Sequence, residues 1–110
     1  MDDLEFRRLN KLLDAYIELK VPSHVRSSVR LSYRWERSCL TLREERPDYD
    51  LRIWYSQDIA QFRYEQGKWT VWSMNRDNEW SKVVSIQPES DFERQLELVE
   101  LDQEGVFWVS

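Results

Sequence analysis

The hydrophobic period of the chain changes once, near residue 27, and that change points to a mixed α+β fold. Before it, Phe6, Leu9, Leu13 and Tyr16 recur at spacings of three and four. Leu12 and Ile17 widen the stripe, and Arg7, Lys11, Asp14 and Glu18 occupy the opposite face. This is the pattern of an amphipathic helix. Asp2 or Asp3 can cap its start, and Pro22 ends it near Lys20, because the residue before a proline is pushed out of helical geometry. A connector follows, Pro22-Ser23-His24-Val25-Arg26.

From about Ser27 the period is two. Val29, Leu31, Tyr33 and Trp35 alternate with Arg30, Ser32, Arg34 and Glu36; after a turn near Arg37-Ser38, Leu40 and Leu42 alternate with Cys39, Thr41 and Arg43. Such alternation predicts an antiparallel hairpin with one apolar and one polar face. Residues 44–51, with Pro47 and two aspartates, read as a loop. A third strand is predicted over 58–65, with Ala60, Phe62 and Tyr64 opposing Gln61, Arg63 and Glu65. Gln66-Gly67 turns the chain into a fourth strand over 68–75, where Trp69 and Val71 share one face and Trp72 and Met74 the other. A fifth strand fits 80–86, with Trp80 read as a core residue. Pro88-Glu89-Ser90-Asp91 opens a second helix, capped by Ser90 or Asp91, with Phe92, Leu96 and Val99 on one face. Gly105 breaks it, and residues 106–109 offer a last strand. The expected architecture is α+β: a single domain over residues 1–110, with an antiparallel sheet of four to five strands, a further strand at the C-terminus, and both helices packed on the sheet.

Composition removes whole classes of function. Gly67 and Gly105 are the only glycines, against an average share of about 7%. Neither G-x-x-x-x-G-K-[ST] nor G-x-G-x-x-G can be assembled from them. A single cysteine, Cys39, and a single histidine, His24, exclude a disulfide framework and zinc sites of Cys₄, Cys₂His₂ or His₃ type. No apolar run exceeds four residues, so no helix should span a membrane. The acidic Asp2, Asp3 and Glu5 do not suit a targeting peptide, and a lone cysteine suits a reducing cytoplasm. The net charge of −5 is uneven: residues 1–88 carry 15 basic and 14 acidic groups, whereas residues 89–110 carry one basic and seven acidic groups.

No residue set for catalysis, cofactor binding or metal binding emerges. Cys39 lies beside a strand turn, not at a helix N-terminus where its thiolate would be favoured, and the ordinary reading of the Cys39/His24 pair is structural. Glu44, Glu45, Asp48 and Asp50 lack the glycine and the terminal glutamate of a calcium loop, and Arg43, Arg46 and Arg52 would compete with a cation. In a nuclease-like reading of Asp58, Glu65 and Lys68, period two sends Glu65 and Lys68 to opposite faces. The candidate surface is instead the polar sheet face. It holds Arg30 and Arg34 on the first strand, Thr41 and Arg43 on the second, and Gln61 and Arg63 on the third; either Trp69 or Trp72 must join them. Trp54 and Tyr55, in a loop-like stretch, are candidate exposed anchors, and Trp, Tyr and Arg are enriched at interface hot spots. The bland alternative is a solvated face laced by Glu36, Glu45 and Glu65.

Several motifs in order give a resemblance. Phe6-Arg7-Arg8-Leu9, Pro22-x-His24-Val25-Arg26, Arg46-Pro47, Trp69-x-x-Trp72-x-x-x-Arg76-Asp77-x-x-Trp80 and Gly105-x-Phe107-Trp108 make the chain resemble the small bacterial family called domain of unknown function 3024. Ser23 stands where a further proline is expected, and Val109-Ser110 where a glycine often closes the chain. The resemblance implies a single-domain bacterial protein and brings no activity, cofactor or catalytic residue. The leading expectation is a cytoplasmic, non-enzymatic interaction module. It would bind another protein, or itself, through Arg30, Arg34, Arg43, Arg63, Trp54 and Tyr55. A nucleic-acid-binding module using the same face is the alternative, and a small hydrolase or nuclease the least favoured.

Overall fold

A computed structural model describes residues 1–48, 50 and 53–108. The elements are α1 (Asp3–Lys20), a 3₁₀ turn (Ser23–Val25), β1 (Arg30–Glu36), β2 (Cys39–Pro47), β3 (Trp54–Glu65), β4 (Lys68–Met74), β5 (Trp80–Lys82) and α2 (Phe92–Leu101). The strands form one antiparallel sheet in the order β1-β2-β3-β4-β5, with an N-terminal and a C-terminal helix, so the α+β class holds. The chain divides into two compact units, Met1–Ser32 with Arg43–Gln57, and Tyr33–Leu42 with Asp58–Ser110.

In the first unit, the Asp2 carboxylate caps α1 by accepting from the Glu5 backbone N–H at 2.9 Å. Asp3 and Glu5 in the first turn and Lys20 in the last complement the helix dipole. Leu9 and Leu13 are fully buried, as their spacing predicts. The Val21 N–H closes the helix on the Ile17 carbonyl, and Pro22 starts the 3₁₀ turn. β2 runs through Pro47, correcting the loop read at 44–51. Glu44 and Arg46 pair side by side at 2.6 Å, so this strand segment carries no apolar alternation to announce it. Leu51 and Arg52, the latter named as a competitor for cations, lie outside the described residues. β3 begins at Trp54, not near Asp58. Ile59 and Ala60 are both buried, so strict alternation fails there and hides the early part of the strand.

The second unit is organised about β4. Gln66 (φ 52°) and Gly67 (φ 78°) both take left-handed geometry, as a two-residue hairpin turn requires. That turn fixes the register: Arg63 opposes Thr70, Phe62 opposes Val71, and Gln61 opposes Trp72. Phe62, Trp69 and Val71 therefore share a face, and α2 lies against it. The Phe92 ring sits 4.9 Å from Phe62 and 5.1 Å from Trp69, measured between centroids. Trp35 and Tyr64 approach Trp69 at 6.2 and 4.9 Å, and Trp69 is 1% exposed. The buried Gln95 amide donates to the carbonyls of Trp69 and Gln87, both at 2.9 Å, tying α2 to the strand and to the segment before it.

Residues 106–108 form no strand, and Val109 lies outside the described residues. Asp102 ends α2 in left-handed geometry (φ 46°), and its carboxylate accepts from the backbone N–H groups of Val106, Phe107 and Trp108 at 2.8 to 3.3 Å. Those amides are consumed by a side chain and cannot join a ladder. A carboxylate at a helix C-terminus opposes the dipole, and the three amides offset this. The Trp108 indole N–H donates to the Val99 carbonyl at 3.0 Å, which seals the return.

Trp80 is not a core residue. It pairs with Met74 on the face away from α2 and is half-buried. Replacing Trp69 by alanine should cost about 3–5 kcal/mol, as for a fully buried aromatic. Trp80→Ala should cost less than half of that, and chemical denaturation of the two variants measures the difference.

Candidate functional site

The face opposite α2 is assembled by the same register that buries Trp69. Across β3, β4 and β5 it carries Gln61, Arg63, Thr70, Trp72, Met74, Trp80 and Lys82. Trp72, not Trp69, joins the arginines. Arg63 lies over it, guanidinium carbon 3.7 Å from the indole centroid. Both partners are anchored. Arg63 Nε donates to Gln61 Oε1 at 2.7 Å, and Gln61 Nε2 donates to Thr41 Oγ1 at 3.1 Å. Trp72 Nε1 donates to Thr70 Oγ1 at 3.0 Å, and that hydroxyl donates to the Arg63 carbonyl at 3.3 Å. Thr41 and Thr70 are buried beneath this layer, while Arg63, Trp72, Met74 and Trp80 remain half-exposed and Lys82 exposed.

The stacked pair answers why arginines can share this face. Cation–π stacking on a half-buried indole contributes about 0.5–2 kcal/mol and holds the guanidinium in place without neutralising it. Among the described residues, Arg30, Arg34 and Arg63 make no ion pair with a carboxylate. Glu45 instead accepts from Ser32 Oγ at 3.4 Å, so the lacing by Glu36, Glu45 and Glu65 does not engage these three arginines.

The sequence-derived residues fall into two groups. In the first unit, Arg30 stacks on Trp54 with its guanidinium carbon 3.7 Å from the centroid, and Arg43 donates to Ser56 Oγ at 2.9 Å. Trp54 is half-buried under Arg30, whereas Tyr55 is 63% exposed. In the second unit, Arg63 and Arg34 flank Cys39. Burial pushes the Cys39 thiol up, and Arg63 and Arg34 only partly oppose this. A nucleophilic thiol needs the reverse balance. His24 is exposed in the 3₁₀ turn of the first unit. Glu65 and Lys68 face each other across the ladder, not on opposite faces, because the Gln66-Gly67 turn reverses the chain between them. Both are exposed, and no group of three His, Cys, Asp or Glu side chains poised for a metal occurs among the described residues.

Trp80 and Lys82 were missed as members of the face, whereas Met74 already shares the face of Trp72 by alternation. A two-residue turn at Gln66-Gly67 already sets Gln61 opposite Trp72, so the Arg63–Trp72 neighbourhood was available from spacing. The Asn75 turn leading into β5 was not. There the Asn75 side-chain oxygen accepts from the Asp77 and Glu79 backbone N–H groups at 2.9 and 3.0 Å, a local arrangement that hydrophobic period does not reveal.

Fold and face together define a small α+β protein with an aromatic, basic sheet surface. The chain belongs to the family described as Domain of unknown function (DUF3024), which matches residues 1–109 of its 110. No curated protein and no solved structure matches it. No helix of the described residues is long and apolar enough to cross a membrane.

Because burial raises the Cys39 thiol, its alkylation by iodoacetamide should rise with pH at a midpoint above that of free cysteine. A rate–pH profile of the folded protein checks this, and a midpoint below free cysteine would contradict the environment described.

Proposed function

We infer that this protein is a small, non-enzymatic interaction module of the bacterial cytoplasm that docks a protein partner, or a second copy of itself, on the sheet face opposite α2. The observation that carries this reading is the Arg63–Trp72 stack, a guanidinium held over an indole and left without a carboxylate among the described residues. Half-exposed Trp80 and Met74 extend the apolar area, and Arg34 and Lys82 add positive charge from β1 and β5. Trp, Met and Arg are the residue types that concentrate in interface cores, and a pre-oriented guanidinium loses little entropy on pairing with a partner's carboxylate. The free thiol of Cys39 suits a reducing compartment.

A second reading has one observation in its favour. The acidic residues of α2 belong to a helix packed on the opposite face, so they do not cover Arg63 and Trp72. A single-stranded nucleic acid could then stack a base on Trp80 and place phosphates on the arginines. The overall charge of −5 weighs against it.

Reversing Arg34 and Arg63 together to glutamate should abolish capture of the partner while lowering stability by about 1 kcal/mol, the worth of the lost stack. Pull-down with wild-type and doubly reversed protein, beside thermal melts of both, makes the comparison; an unchanged captured set would refute this assignment of the face. A fluorescent single-stranded oligonucleotide titrated at two salt concentrations separates the two readings. Phosphate contacts must weaken with a log–log slope of about −0.7 per contact, whereas the protein-docking reading expects no binding.

A further inference from the structure

The second unit carries opposite charge on its two sides. On α2, Glu93, Glu97 and Glu100 stand at i, i+4 and i+7, and all three are exposed. Phe92, Leu96 and Val99 form the buried stripe beside them, so α2 cannot turn these carboxylates inward. Like charges at such spacings repel, and Glu97 meets Arg94 in a solvent-exposed pair at 3.6 Å, too open to offset much. The last turn of α2 holds no basic residue, and Glu100 there opposes the helix dipole. Leu101, 62% exposed, adjoins the stripe. Such a stripe does little for the helix itself and suits a positive surface.

The sheet face away from α2 is that surface. Trp35 reaches Trp69 on the α2 side, so alternation sends Arg34 to the other face, with Arg63 and Lys82. These cations stand on β1, β3 and β5, and alternate strands lie about 9.5 Å apart. Glu93 and Glu100 are separated by about 10.5 Å along the helix axis, a matching interval. The acidic members of the face lie towards its margin, Glu65 opposite Lys68 at the hairpin turn and Glu36 at the end of β1. We propose that this face docks α2 of a second copy of the chain, laid across the strands with its glutamates on the basic rows and Leu101 against Met74 and Trp80. The inference rests on the docking face proposed above and names its occupant. One chain cannot satisfy itself, because Phe92 and Gln95 pin α2 to the other side of the sheet. The two docking surfaces differ, so each contact leaves one of each open and association runs head to tail.

Sedimentation velocity of the full chain across a wide range of protein concentration tests this. The wild-type coefficient should keep rising with concentration, without a plateau at the dimer, and added salt should reverse the rise. Arg34→Glu/Arg63→Glu and Glu97→Lys/Glu100→Lys should each sediment as monomers, since each makes both docking surfaces alike in charge. Their equimolar mixture should associate again, because every contact then joins opposite charges. Lys82→Glu, at an exposed position where no stack is lost, should weaken wild-type association about tenfold and keeps the test open if a double variant fails to fold. A wild-type protein that stays monomeric, a dimer that forms no larger species, a mixture that stays monomeric although both variants are folded, or a folded variant that associates alone would overturn the proposal. If the wild-type protein is monomeric while lysate capture still depends on Arg34 and Arg63, this occupant is wrong and the docking face stands; if capture is also unchanged, the face itself is refuted.

Discussion

The second unit depends on the burial of one indole. Trp69 is enclosed by Trp35, Tyr64 and Phe92, and its backbone is engaged as fully as its ring. Its N–H donates to the Glu89 carbonyl at 2.6 Å, and its carbonyl accepts from both Glu89 N–H and the Gln95 amide. One residue thus fixes three things: the seat of α2, the path of the segment leading into it, and which face of β4 is closed. A buried aromatic supplies the apolar area, and the satisfied backbone groups remove the penalty that burial would otherwise carry.

Closing one face determines the other. Trp72 follows Trp69 by three positions, and in a strand an odd offset sends a side chain to the opposite side. The same register that seats Trp69 against Phe92 therefore delivers Trp72 to Arg63, Gln61 and the two threonines. Those polar neighbours hydrogen-bond one another and orient the guanidinium, but they do not neutralise it. A positive charge stacked on an indole, beside Met74 and Trp80, is the feature on which the proposed docking reading rests.

Much of this was legible in the sequence because it rests on period and turn chemistry. The stripe Phe6–Leu9–Leu13, a cap at Asp2 or Asp3 and another at Ser90 or Asp91, the Gln66-Gly67 turn and the split of Trp69 from Trp72 all follow from local rules, and the structure takes Asp2 and Asp91. What escaped was decided by interactions with no periodic signature. The later half of β2 is polar on both sides, so its strand character comes from the ladder and not from alternation. Residues 106–108 have an apolar run suited to a strand, yet their amides are taken by the Asp102 carboxylate. Trp80 reads as core by residue type, but its place opposite Met74 puts it on the face away from α2. Side-chain contacts such as Arg30 on Trp54 in the first unit are likewise invisible to spacing, since they join strands whose register the sequence leaves open.

The central claim is that β4 carries one indole sealed under α2 and another presented with Arg63 on the opposite face. Fluorine NMR of protein labelled with 5-fluorotryptophan, assigned by single Trp→Phe variants and titrated with a soluble paramagnetic agent, reads the two directly. The account predicts that the Trp69 resonance stays sharp while those of Trp72 and Trp80 broaden. Equal protection of Trp72 and Trp69 would mean that the Arg63 face is closed, and would contradict the account.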